Sequence, residues 1–154
     1  MLGFALPDDY KQLLTLVPAG DYAGAVLLAP PTVSGREGDL PHMFAGALAI
    51  LREEVEDLPY GVYPQIPGLL PWARCTRPGA GLLFWLVDGG DPDKWPVVLS
   101  DLNYDHWEEF DGTAVDILSA LVAGELPSQI LSRSEGAEPY RPRQARSDAH
   151  GSLW

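Results

Sequence analysis

The densest run of chemistry-bearing side chains is Asp105-His106-Trp107-Glu108-Glu109, a histidine set among carboxylates. Such a set furnishes a general acid–base pair wherever the groups meet. Adjacent residues on a strand point to opposite faces, however, so Asp105 and His106 are expected to diverge. The segment Asp88-Gly89-Gly90-Asp91-Pro92-Asp93 gathers three carboxylates that could hold calcium. It lacks the alternate spacing and terminal glutamate of a helix–loop–helix site and reads as a hairpin turn. His42, His106 and His150 are far apart, and none has zinc-ligand spacing to another His or to the single Cys75. No nucleophile elbow, phosphate-binding glycine loop or dinucleotide fingerprint is present. The expectation is a non-enzyme with no catalytic residues, no metal and no cofactor.

Charge limits the partners. The chain has 154 residues with 22 acidic and 10 basic side chains, a net charge of −12. All of that negative charge lies before residue 133: Met1–Ser132 carries −13 and the remainder +1. A field of that sign repels nucleic acid and anionic lipid and attracts basic surfaces. It serves either as a solubility charge or as a surface that docks on a cationic partner, and charge alone does not choose. One cysteine excludes an internal disulfide and fits a reducing compartment, with Cys75 expected as a buried structural thiol. Met1–Leu6 has neither the basic start nor the apolar core of a secretory signal. No apolar stretch approaches the roughly 20 residues of a membrane span. A cytoplasmic location is expected.

The elements that must position these groups follow from periodicity. Asp8 and Asp9 open a helix whose face is Tyr10, Leu13, Leu14 and Val17, ended by Pro18 and Gly20. Gly24–Ala29 reads as a strand, Pro30–Pro41 as a loop, and Met43, Ala47, Ile50, Leu51 and Val55 as one face of a second helix. Glu53, Glu54, Glu56 and Asp57 crowd the end of that helix. Trp72–Thr76, Leu82–Val87 and Trp95–Ser100 then form a meander joined by Gly/Pro turns. Leu82–Val87, apolar throughout, is its central strand, covered on both faces. Asn103–Phe110 reads as a last edge strand. Thr113–Ala123 is a helix with an N-cap threonine, Asp116 three residues on, and Gly124 at its C-terminus. Its stripe is Val115, Leu118, Leu121 and Val122, with Ile117 beside it. The prediction is one α+β domain over residues 1–132, a mostly antiparallel sheet with helices packed against it, and a flexible tail over 133–154.

Several of these segments together carry a resemblance. Leu6-Pro7-x-x-Tyr10-Lys11 opens a helix, Gly68-Leu69-Leu70-Pro71-Trp72 enters the sheet, and Gly81-x-Leu83-Phe84-Trp85 lies on the central strand. Trp95-Pro96-Val97-Val98 and the helix ending at Gly124 follow in order. In these motifs the chain resembles the SUKH superfamily of bacterial toxin-immunity proteins and fungal cell-wall regulators, over roughly Leu6–Leu126. One departure is Ala80-Gly81, where the family often has an acidic residue. The resemblance implies an α+β fold with helices on one side of the sheet. It also implies an immunity protein that binds and neutralises a cognate polymorphic toxin, in many members a nuclease.

The expected partner is therefore a protein with a basic surface, met by Asp101, Asp105, Trp107, Glu108, Glu109 and Asp111. On an edge strand, Asp105, Trp107 and Glu109 fall on one face and His106 and Glu108 on the other. Trp107 then either faces outward as an anchor or packs under the last helix. The alternatives are a regulatory or scaffold module with an endogenous partner, and a small hydrolase using Asp105, His106 and Glu108 or Glu109.

Overall fold

The computed structural model describes residues 7–16, 20–28, 42–53, 56, 58–63 and 65–142. The loop expected over Pro30–Pro41, the helix-face position Val55, the stop after Val17, the acidic positions Glu54 and Asp57, and residues 143–154 lie outside them. So do the side chains of Leu14 and Met43.

Helix α1 spans Asp8–Leu16, with both aspartates in its first turn, where carboxylates complement the helix dipole. Its first amide has no partner within the helix, and Asp93 supplies one, accepting from the Asp8 N–H at 2.7 Å. Tyr10 is fully buried, its ring edge-on to Trp85 with centroids 4.8 Å apart and 5.7 Å from that of Trp72. Its hydroxyl donates to the Trp72 carbonyl at 3.4 Å.

The meander consists of β3 (Gly68–Cys75), β4 (Ala80–Val87) and β5 (Val97–Asp101), each paired antiparallel to the next. Two short strands precede it, β1 (Gly20–Tyr22) and β2 (Val26–Leu28), and β6 (Trp107–Phe110) follows. With β7 (Tyr140–Pro142) they make one antiparallel sheet in the order β6-β5-β4-β3-β2-β1-β7. Phe84 and Trp85, adjacent on β4, are 0% and 1% exposed, so the central strand is covered on both faces as its unbroken apolar run requires.

Helices lie on both faces, which corrects the one-sided arrangement that the resemblance implies. Tyr10 of α1 and Ala114, Ile117, Leu118 and Leu121 of α3 (Ala114–Ala123) pack with Trp72, Trp85 and Trp95. Leu48 and Leu51 of α2 (His42–Glu53) pack with Leu69, Phe84 and Val98 on the other face. The α2 face is also rotated from expectation, with Leu48 and Leu51 buried and Ile50 42% exposed. The α3 boundaries and caps agree with the sequence. Thr113 Oγ1 accepts from the Asp116 N–H at 3.2 Å, the Asp116 carboxylate accepts from the Thr113 N–H at 3.0 Å, and Gly124 adopts φ 76°.

The domain boundary at residue 132 is corrected. Leu131 is buried, Ser134 N–H donates to the Ala23 carbonyl at 2.8 Å, and Ala23 N–H donates to that of Pro139 at 2.9 Å. Tyr140 packs on Tyr22 with ring centroids 5.0 Å apart, and β7 completes the sheet beyond β1. These are long-range backbone bonds, invisible in the polar, Pro-containing composition that made the segment look like a tail.

Candidate partner-binding edge

The β5–β6 hairpin sits where a glycine lets two strands meet closely. A Cβ at Gly81 would collide with the Asp101 carbonyl oxygen and Ser100 Oγ, so only glycine fits. The ladder shifts register between Ala80 and Leu83, and the buried Ser100 hydroxyl accepts the Leu82 N–H at 3.2 Å there. Leu102 N–H donates to the Gly79 carbonyl at 2.9 Å, tying the hairpin to the β3–β4 turn.

Asp101 then organises the turn. Its Oδ1 accepts the Asp105 and His106 N–H groups at 2.8 and 3.2 Å, and its Oδ2 lies 3.0 Å from His106 Nδ1. Burial works to raise the Asp101 carboxyl, but the hydrogen bonds from His106 and the Asp105 amide outweigh it and hold the group below its ordinary value. Neither Asp105 nor His106 lies on the strand whose alternation is expected to separate them. The partner of His106 is Asp101, five residues back across the turn, and the type of turn that joins them is not written in the alternation of a strand.

Tyr104 takes the left-handed backbone conformation, φ 61°, uncommon for a bulky residue. Its carbonyl accepts the Trp107 Nε1–H at 3.2 Å and its ring stacks on Trp107 at 6.3 Å between centroids. Trp107 also contacts Tyr60 edge-on at 5.7 Å and Phe84 at 5.9 Å. The indole is thus half-buried on the α2 face. It does not lie under the last helix, which occupies the other face, and it is not a free-standing anchor either. Sequence alternation fits neither detail because it ignores which helix covers which face.

Glu109 shares the face of Trp107, accepting a hydrogen bond from the Tyr60 hydroxyl at 3.2 Å while remaining exposed. Glu108 points the opposite way. One of its oxygens accepts from the Ser128 hydroxyl and the other from the Gln129 N–H at 2.9 Å, pinning the segment after α3. Asp105 lies in the turn rather than on the strand, which begins at Trp107, so its grouping with Trp107 and Glu109 by alternation is corrected. Asp105 and Asp111 are exposed at either end of β6, and Leu102 at the hairpin tip is 61% exposed. A cleft of about 440 Å³ opens between the hairpin and the segment after α3, lined by Pro78, Asp101, His106, Glu108, Gln129 and Ile130 among others. Ile130 and the Ser128-Gln129 pair are contributors that sequence reasoning missed, since no local pattern links them to Glu108.

The other carboxylates and the thiol have local employment. Asp88 accepts the Gly90 N–H at 2.9 Å and Asp91 that of Asp93 at 3.0 Å, as turn-forming aspartates do. Burial pushes the Cys75 thiol up to about 12, so it stays protonated. Among the described residues, no group of three or more His, Cys, Asp or Glu is placed to hold a metal ion, and no helix is long and apolar enough to cross a membrane.

The fold and this edge define an antiparallel α+β domain with an acidic, aromatic sheet margin. No protein-family model, curated protein or solved structure matches the chain.

Proposed function

We propose that this chain is a protein-binding module whose acidic β5–β6 edge captures a basic protein surface, and that it acts as an immunity protein of the SUKH type, occluding a cognate toxin. The observation that carries the reading is a one-signed margin. No Lys or Arg occurs between Lys94 and Arg133, while Asp101, Asp105, Glu108, Glu109 and Asp111 all fall at this edge. Exposed Asp105, Glu109 and Asp111 share this margin with the exposed Leu102 and the half-buried Trp107.

Complementary charge accelerates encounter, and a few desolvated aromatic contacts then slow dissociation. A nuclease toxin presents a cationic groove that grips phosphates, and an acidic edge occupies it in their place. Asp101 serves as a positioning residue that holds the hairpin, and Glu108 holds the segment behind it. Asp105, Trp107, Glu109 and Asp111 face the partner.

The test is co-expression of the chain with the product of the adjacent gene. Co-purification of a complex, with loss of that product's toxicity, is the expected result. A neighbouring product that neither binds nor is neutralised contradicts the immunity reading, and a non-toxic bound partner favours the scaffold alternative.

A further inference from the structure

We infer that the outer side of β6 is a strand-addition site for an extended basic segment of a protein partner, an inference that rests on the edge reading above. The backbone parity is fixed by two bonds. Asp101 N–H donates to the His106 carbonyl at 3.1 Å, and on the far side of β5, Leu86 N–H donates to that of Pro96 at 2.9 Å. In an antiparallel ladder, hydrogen-bonded pairs alternate with non-bonded ones. With Leu99 opposite Glu108 and Val97 opposite Phe110, the backbones of Glu108 and Phe110 face β5. Those of Trp107 and Glu109 therefore face outward, and β6 is the terminal strand of the sheet.

The two ends of the sheet are not equivalent. On β7, the bond from Ala23 N–H to the Pro139 carbonyl and the pairing of Asp21 with Arg141 put Pro142 at an outward position. Proline has no N–H to offer there, a common device for closing an edge. β6 contains neither proline nor lysine. Its protection is negative charge, which discriminates among strands rather than excluding all of them. A second copy of this chain, at −12, is repelled and would set glutamate against glutamate. A strand with Lys or Arg at alternate positions places those side chains beside Glu109 and the half-buried Trp107, on the one face of β6 where Glu108 does not project. Main-chain bonds supply affinity and alternate side chains supply selectivity, as in other strand-addition complexes.

The experiment records amide resonances of the 15N-labelled chain during titration with a short acetylated peptide alternating Lys and Val. Controls are its Glu/Val counterpart and a copy N-methylated on the amides of one edge, in both alternate registers. The expected result is that Trp107 and Glu109 amides shift and exchange more slowly with the Lys/Val peptide alone. Glu109→Ala and Glu109→Pro then lose the same carboxylate but differ in the outward N–H, which bonds nothing in the β5 ladder. Glu109→Pro is expected to bind about tenfold or more weaker than Glu109→Ala. If Glu109→Pro does not fold, the methylated peptides decide, and binding abolished in one register supports strand addition. No response at β6, or equal binding by methylated and unmethylated peptides, overturns the inference. Retained electrostatic binding in that second case leaves the acidic-edge reading standing, so the two failures are distinguishable.

Discussion

The Asp101 carboxylate closes the β5–β6 hairpin onto His106, taking the imidazole Nδ1 at 3.0 Å and the His106 and Asp105 amides beside it. A single side chain thereby sets the path of the turn that carries Leu102, Asp105 and the start of β6. Asp101 is largely covered while His106 is exposed, with side chains 18% and 79% accessible. The carboxylate is thus the structural member of the pair.

The pH dependence of this clasp has a definite sign. The folded Asp101 carboxyl lies below its ordinary value, so its contribution is complete above the unfolded carboxylate's pKa of about 4 and is lost as pH falls through the lower folded value. Asp101→Asn removes the charge and one of the two acceptor oxygens, and it is expected to cost about 1–3 kcal/mol at neutral pH. Urea unfolding of both proteins from neutral pH down to strong acid checks it. The stability gap should narrow below about pH 4, and a gap that is constant over that range contradicts the assignment.

β4 presents Phe84 to one face of the sheet and Trp85 to the other. Phe84→Ala and Trp85→Ala each empty a fully buried site and should cost about 3–5 kcal/mol. Because the rings lie in separate clusters on opposite faces, the two losses should add to within about 0.5 kcal/mol in the double variant. Denaturant titration of the singles and the double measures this, if necessary in stabilising osmolyte. Strong coupling would show that the sheet does not separate the clusters.

Truncation after Ser132 discriminates the corrected boundary from the expected one. It removes the Ser134 and Pro139 bonds to Ala23 and the Tyr140 ring on Tyr22. A loss of at least about 2 kcal/mol is expected from one aromatic contact and two backbone bonds. A thermal midpoint within a degree of the full chain would restore the tail reading.

Much of the scaffold is legible in the sequence because its signals are local. The meander announces itself through apolar runs between Gly/Pro turns, and α3 through Thr113, Asp116 and Gly124. The strands β1 and β7 escape notice because three residues carry no periodicity, and their pairing spans more than a hundred positions. At the candidate edge, the residue set Asp101, Asp105, Trp107, Glu108, Glu109 and Asp111 does gather around one hairpin. Its internal arrangement is another matter. Trp107 is held by Tyr60 and Phe84, and Glu108 by Ser128 and Gln129, all of them tertiary neighbours. The Asp101–His106 pairing depends on a turn in which Tyr104 takes a positive φ, a choice that residue type disfavours.

An acidic edge that captures a basic partner steers the encounter by charge, and association kinetics read that steering. The rate constant for binding the adjacent gene's product is measured across a salt series for the natural chain and for Asp105→Lys/Glu109→Lys. Both positions are exposed, and Glu109 bonds only the Tyr60 hydroxyl among the contacts described above. The charge-reversed chain is expected to associate about tenfold or more slowly at low salt, with a much flatter salt dependence, while its thermal midpoint stays close to that of the natural chain. An association rate and salt slope unchanged by the double reversal would contradict the claim and move the interface elsewhere on the molecule.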